Sequence, residues 1–135
     1  MTEQWARWEP ISGLAEKYDI VTVSEEIEGF RVVLFDEQDS TKKAIISFEQ
    51  AVSAYRSTDE SFRYKLIRDL DERYGSDFYG KWTFFKLTNS LYLEWLLDQS
   101  EGVFDPKSYI HFSIITSDSI LDIVASYEPK VELIG

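Results

Sequence analysis

YDIVTVSEEIEGFRVVLFDEQDSTKKAIISF, residues 18–48, is the stretch that decides the fold. It contains three runs rich in β-branched and aromatic residues, 18–27, 30–35 and 43–48, separated by Glu28-Gly29 and by the polar residues 36–41. Such runs with polar connections are typical of β-strands. Because short turns can join antiparallel strands, the stretch predicts an antiparallel meander.

The middle of the chain predicts a helix. Ser57-Thr-Asp-Glu60 has the spacing of a capping box, and apolar residues then recur at helical intervals until Gly75, a helix stop. The pairs Asp59–Arg63 and Asp69–Arg73 have the favourable i,i+4 order on a helix. The neighbouring cations therefore predict a salt-bridged helix face; they are Arg56, Arg63, Lys65, Arg68 and Arg73.

The remaining segments predict further strands and helices around this central helix. Short helices are predicted before Pro10 and at 49–55, and a longer one from Asn89 or Ser90 to Gly102. Strands are predicted at 81–87, 109–115 and 120–127, with a tight turn at Ser117-Asp118 and an edge strand at 131–134. The fold class is therefore α+β: a mostly antiparallel sheet of five or six strands with two or three helices in the middle of the chain. Because no linker or repeat interrupts the sequence, residues 1–135 are predicted to form a single domain.

Charge limits the classes of partner. The chain has 14 Lys and Arg against 25 Asp and Glu, a net charge of −11. This charge disfavours nucleic acids and anionic membranes and favours a basic protein partner. The acidic residues predicted to contact such a partner are Glu25, Glu26, Glu28, Asp36 and Asp39. No secretory signal or bilayer-spanning apolar run is evident, which predicts a cytoplasmic protein.

Few residues are suited to catalysis. The chain has no cysteine, one histidine and no glycine-rich phosphate loop, so no metal or cofactor is predicted. His111 could act as a general base with Ser113 or Asp122, or be a half-buried strand histidine bonded to a neighbour. Aromatic residues are abundant, and an aromatic pocket near His111 would include Trp82 and Trp95.

Several segments together resemble a known group of proteins. They are Ser47-Phe48 leading to Ala54-Tyr55-Arg56, Asn89-Ser-Leu-Tyr-Leu-Glu-Trp95, His111-Phe112, and Leu121-Asp-Ile-Val-Ala125 ahead of Glu128-Pro129. The set is similar to small acidic bacterial cytosolic proteins without an assigned activity, some of which look like immunity proteins of polymorphic toxin systems. The resemblance implies binding of a toxin and brings no catalytic residues with it.

Three functions follow from these observations. The first is a non-enzymatic protein–protein interaction domain, an antagonist that binds a basic toxin or nuclease. The second is a small enzyme or small-molecule-binding domain with an aromatic pocket near His111. The third is a homo-oligomer in which the edge strand at 131–134 pairs across a two-fold axis.

Overall fold

The computed structural model describes residues 2–135, which form nine strands and three α-helices. The α-helices are α1 (Tyr64–Tyr74), α2 (Asp77–Gly80) and α3 (Leu91–Gln99), and short 3-10 helices occupy Glu60–Phe62 and Pro106–Ser108. Within residues 2–135 no helix has the length and apolar content needed to cross a bilayer. The strands are β1 (Gln4–Arg7), β2 (Tyr18–Glu26), β3 (Gly29–Asp36), β4 (Asp39–Phe48), β5 (Ala54–Asp59), β6 (Phe84–Thr88), β7 (Ile110–Ile115), β8 (Ser119–Ala125) and β9 (Lys130–Ile134).

The strands form two antiparallel sheets. A five-stranded sheet has the order β1-β6-β7-β8-β5, and a four-stranded sheet has the order β2-β3-β4-β9. The α+β class and the mid-chain helices are therefore confirmed, whereas the prediction of five or six strands in one sheet is wrong. β2, β3 and β4 form the predicted meander, and β9 is the predicted edge strand. Pairing of β9 across a two-fold axis stays a prediction.

The five-stranded sheet lies between the four-stranded sheet and the helices. Phe112, Ile114 and Ile123 share one core with Phe30 and Leu34 and the other inward residues of β3 and β4. On the opposite face, Ile115 and Ile120 share a second core with residues of α1 and α2. Both faces of β7 and β8 are therefore covered, which explains their almost continuous burial. Any polar side chain on the helix-facing side of these strands must find its partners inside the protein.

The predicted N-terminal helix is a strand instead. β1 pairs with β6, with Trp5 opposite Leu87. The pairing buries Trp5 in an edge-to-face contact with Phe85, with ring centroids 5.8 Å apart. Trp8 lies in the other core, between the two sheets. The two tryptophans therefore lie in two different cores and do not share one face of a helix.

The helix predicted from the capping box begins later than its sequence pattern indicates. Ser57 and Thr58 belong to β5 and pair with Leu121 and Ile120 of β8. The short helix predicted at 49–55 is likewise absent, since 54–59 form this edge strand. The Asp59 carboxylate caps the following 3-10 turn by accepting from the Ser61 N–H at 2.9 Å. Strand pairing with β8 therefore overrides the local preference for a helix start.

A glycine makes the turn between β2 and β3 feasible. Gly29 has a φ of +135°, and a Cβ placed there would lie 2.0 Å from the Phe48 carbonyl oxygen of β4. Only a residue without a side chain allows both this backbone conformation and this close approach.

Candidate functional site

A buried polar network occupies the helix-facing side of the five-stranded sheet. Asp122 of β8 and His111 of β7 are 0% and 1% exposed, and the His111 Nε2 lies 2.7 Å from the Asp122 Oδ1. The His111 Nδ1 lies 2.6 Å from the Ser90 Oγ. Because an ionised carboxylate only accepts hydrogen bonds, Nε2 donates to Asp122. Asp122, one of the two residues considered as partners of His111, therefore contacts it, and a role of His111 as a general base stays a prediction.

Ser90, rather than Ser113, is the hydroxyl partner of His111. Ser90 is the N-cap of α3, and its Oγ also accepts from the Leu93 N–H at 3.0 Å. Ser113 lies opposite Asp122 in the β7–β8 register, but its buried Oγ has no hydrogen-bond partner within residues 2–135. Ser113, the other candidate partner, therefore does not contact His111, because the helix cap places a nearer hydroxyl against the imidazole. The network fixes the start of α3 against the sheet.

Two arginines complete the network. The Arg56 Nε and the Arg63 Nη1 both donate to the Asp122 Oδ2, at 2.8 and 3.2 Å. Arg56 lies on β5 directly opposite Asp122, and Arg63 immediately precedes α1. The predicted Asp59–Arg63 ion pair is wrong because Arg63 turns inward to Asp122, whereas the Asp69–Arg73 pair is confirmed at 3.3 Å.

Asp122 is ionised in this setting. Burial by itself raises the pKa of a carboxyl group, because the charged form loses its hydration. The hydrogen bond from His111, the electrostatic interaction with His111 and the positive charge of Arg56 outweigh burial and hold the pKa of Asp122 well below its usual range. The network is therefore anchored by a carboxylate that stays charged through the physiological pH range.

The arginines border a cleft that also contains exposed aromatic residues. The cleft, here called the aromatic cleft, has a volume of about 870 Å³. The Arg56 guanidinium carbon lies 4.1 Å from the centre of the Tyr92 ring, and Trp95 stacks nearly parallel to Tyr92. Phe62 and Trp95 are 83% and 58% exposed at its wall. Its full lining is Glu3, Arg56, Phe62, Arg63, Lys65, Leu66, Asp69, Leu91, Tyr92 and Trp95.

The three residues predicted to form a pocket are separated. Trp95 lines the aromatic cleft, whereas His111 is 1% exposed and is not among the residues that line this cleft. Trp82 packs against both cores and donates its indole N–H to the Trp8 carbonyl oxygen at 3.1 Å. Of the three residues, only Trp95 lines the aromatic cleft, and the Tyr92 ring of that cleft contacts His111 with centroids 5.7 Å apart.

The acidic residues predicted to bind a partner fall into two groups at opposite ends of the four-stranded sheet. Glu25, Glu26 and Glu28 lie at the β2–β3 turn, whereas Asp36 and Asp39 lie at the β3–β4 turn. The nine residues of β2 separate the two turns by roughly 26 Å. The five carboxylates therefore do not form one compact patch.

Asp36 and Asp39 also take part in the turn itself. Asp36 accepts from the Gln38 N–H at 2.8 Å. Asp39 accepts from the Thr41 hydroxyl at 2.6 Å and from its N–H at 3.1 Å, which lowers the pKa of Asp39. These two side chains therefore stabilise the turn, whereas the three glutamates make no side-chain hydrogen bond or ion pair within residues 2–135.

A second cavity, of about 500 Å³, lies beside Lys17. The Lys17 ammonium donates to the carbonyl oxygens of Tyr79, Trp82 and Ile115 at 2.6, 3.0 and 2.8 Å. Burial lowers the pKa of Lys17 from 10.5 to about 8, although neighbouring carboxylates, led by Glu37, oppose the shift. Its three bonds tie the loop before β2 to the α2 region and to β7, so its role in the fold is structural.

Sequence reasoning did not identify Arg56 and Arg63 as the partners of Asp122. The informative signal was Asp122 itself, a lone acid within the buried strand Ser119–Ala125. A buried carboxylate requires partners, and cations supply them best. The sequence could not identify which cations, because Arg56 and Arg63 lie 66 and 59 positions away.

Comparisons with protein-family profiles, with curated proteins and with solved structures find no match to this chain. The resemblance to immunity-type proteins therefore stays a prediction made from the sequence.

Proposed function

We propose that this chain is a protein-interaction domain that binds its partner at the aromatic cleft. The observation that carries the proposal is the exposure of Phe62, Leu91 and Trp95 around a single depression that also contains two arginines. Exposed large apolar side chains that cluster at one site mark interaction surfaces, whereas isolated ones do not. Trp, Tyr and Arg are also the residues that dominate binding energy at interfaces.

The buried network gives this surface a fixed shape. Asp122 holds both arginines, and Arg56 in turn packs on the Tyr92 ring. Ser90 anchors the first turn of α3, which carries Leu91 and Tyr92. Side chains that are already ordered before binding lose less conformational entropy in the complex.

The acidic residues keep a different role in this proposal. A net charge of −11 accelerates the approach of a basic partner, and the carboxylates at both ends of the four-stranded sheet contribute to that field. Glu25, Glu26, Glu28, Asp36 and Asp39 thus steer association, while the aromatic cleft supplies the contacts that hold the complex. An antagonist of a basic toxin or nuclease fits both features.

Capture from a lysate of the source organism tests the proposal when matched variants are compared. Trp95→Ala and Phe62→Ala remove exposed cleft residues, and Val21→Ala removes a side chain that is 51% exposed on β2. We expect at least one protein to be retained by the wild type and Val21→Ala and lost by Trp95→Ala and Phe62→Ala. Identical retention by all four proteins would contradict binding at the cleft.

The captured partner then tests the steering role separately. Its association rate, measured at low and high salt, should fall steeply with ionic strength if the acidic field guides approach. A rate that does not change with salt would remove the steering role of the acidic residues and leave binding at the cleft intact.

A small-molecule-binding function is the second candidate, and the cleft volume favours it. About 870 Å³ lies within the range of ligand pockets, and Tyr92 and Trp95 offer flat apolar walls. A small molecule from a metabolite extract that raises the melting temperature of the wild type but not of Trp95→Ala would support it.

A further inference from the structure

The charges around Asp122 do not balance. Its Oδ2 is shared by the guanidinium groups of Arg56 and Arg63, so one negative charge faces two positive ones. Within residues 2–135, Asp122 is the only carboxylate that lies within 4.0 Å of either guanidinium. Arg56, Arg63 and Asp122 together therefore carry one excess positive charge.

This excess charge is partly withdrawn from water. The Arg63 side chain is only 18% exposed, and that of Arg56 is 42% exposed. A desolvated cation without a full counter-charge is unfavourable, and an anion that binds beside it removes the penalty. The free protein therefore has an unfavourable electrostatic energy at the two arginines, which a bound anion would lower.

The geometry leaves donors available for such an anion. Each guanidinium gives one N–H to Asp122, and its other N–H groups make no hydrogen bond within residues 2–135. Both arginines line the aromatic cleft. A planar fork of N–H donors suits carboxylates and phosphates, because two parallel bonds form at once.

The charge of the protein discriminates between these anions. Arg56, Arg63 and Asp122 together have one excess positive charge, which matches a singly charged carboxylate. Glu3, Lys65 and Asp69, which also line the cleft, add one net negative charge, and the net charge of −11 repels polyanions such as nucleic acids and multiply phosphorylated chains. Leu91, Phe62 and Trp95 border the same cleft and offer an apolar seat beside the anion.

We infer that Arg56 and Arg63, held side by side by Asp122, form a carboxylate-binding site that accepts a single Asp, Glu or C-terminal carboxylate of a partner protein, next to an apolar side chain seated against Trp95 and Leu91. This inference rests on the proposed function, because it assigns a contact within the same interface. A partner that is basic overall remains compatible with it, since one carboxylate meets the arginines.

The test is a titration of the ¹⁵N-labelled full chain, followed by NMR at the Trp95 indole and the arginine Nε–H groups. The probe is a pool of capped tetrapeptides in which Leu, Phe or Trp precedes a single Asp, and its control is the same pool with Asn in place of Asp. Inorganic phosphate and acetate are titrated separately. We expect the Asp pool to bind at least about tenfold more tightly than the Asn pool, and more tightly than phosphate or acetate.

Variants locate the site. Arg56→Lys keeps the charge but removes the fork, and Arg63→Gln removes charge and fork together. Both should weaken binding of the Asp pool at least about tenfold, whereas Arg73→Gln, whose partner is the half-exposed Asp69, should not. The spectrum of each variant reports whether it is folded, and Arg56→Lys retains a cation for Asp122 should Arg63→Gln unfold.

Each other outcome has a definite meaning. Equal binding of the two pools, or no shift at Trp95 and the arginines, would overturn the carboxylate site. Tighter binding of phosphate than of the Asp pool would overturn the choice of carboxylate, and equally tight binding of acetate would overturn the apolar seat. None of these results touches the proposed function, which fails only if Trp95→Ala and Phe62→Ala retain every partner that the wild type captures.

Discussion

Replacement of Asp122 by Asn tests whether the buried network is as strongly coupled as its geometry indicates. The side chain is fully buried and accepts three hydrogen bonds, from His111 at 2.7 Å, Arg56 at 2.8 Å and Arg63 at 3.2 Å. Asn preserves the shape but replaces one acceptor oxygen by an NH₂ group. Whichever way the amide turns, a donor then faces either the arginines or the imidazole.

The expected loss follows from these contacts. Hydrogen bonds to charged groups contribute about 1.5–3 kcal/mol each. Removal of one partner from a buried ion pair costs about 3–5 kcal/mol, because the remaining charges are left without a counter-ion inside the protein. We therefore expect Asp122→Asn to lower the free energy of unfolding by about 3–5 kcal/mol at neutral pH.

Urea denaturation at pH 7 measures this loss, with Asp69→Asn as the matched control. Asp69 also pairs with an arginine, at 3.3 Å, but its side chain is 48% exposed, so its replacement should change stability by less than about 1 kcal/mol. If Asp122→Asn loses no more stability than Asp69→Asn, then Asp122 does not anchor a desolvated network.

The pH dependence gives an independent check on the same residue. The pKa of Asp122 is lower in the folded chain than in the unfolded one, where it is near 3.8. Its contribution to stability is therefore complete above the unfolded pKa and is lost as the pH falls toward the folded pKa. The stability difference between wild type and Asp122→Asn should be constant from about pH 7 to about pH 5 and shrink below about pH 4. A difference that grows on acidification would contradict the sign of this shift.

Two further predictions concern other parts of the fold. Gly29→Ala should lower the free energy of unfolding by well over about 1 kcal/mol, because its Cβ would lie 2.0 Å from the Phe48 carbonyl oxygen. The control is Gly80→Ala, whose Cβ would have no atom within 4 Å, and its stability should be unchanged or slightly raised. Equal unfolding midpoints of the two variants in urea would refute the close approach at Gly29. For Lys17, whose pKa falls from 10.5 to about 8 on burial, the unfolded chain holds a proton between these values that the folded chain has released. The stability of the wild type relative to Lys17→Met should therefore rise from about pH 8 to about pH 10, and a constant difference in urea titrations would contradict it.

Local sequence patterns were sufficient for the elements whose partners are near in the chain. The β-branched runs of 18–48 form the predicted meander, and Ser90 caps α3 as its position before an apolar run indicates. The same patterns failed where a distant strand provides the stronger interaction. β1 and β5 are extended because β6 and β8 pair with them, although their own residues favour short helices.

The candidate site was predictable only in its buried half. His111 and Asp122 lie on neighbouring strands joined by a tight turn, so the sequence identified Asp122 as a candidate partner, but their contact depends on the fold. The arginines reach Asp122 from β5 and from the residue before α1, and their proximity depends on how both pack against the sheet. The sequence assigned both arginines to a salt-bridged helix face, whereas in the structure they pair with the buried Asp122.

The pairing of distant strands in both sheets also affects the kinetics of folding. Gln4 pairs with Thr88 across the five-stranded sheet, and Lys43 pairs with Ile134 across the four-stranded sheet. Neither sheet is complete until segments 84 and 91 positions apart in the sequence meet, and closing such long loops is slow. The hairpins β2–β3 and β7–β8 are formed by neighbouring residues, whereas β4 has an unpaired edge in any state in which β9 has not yet paired with it. In such a state, rather than in the finished fold, the chain is most exposed to misassociation.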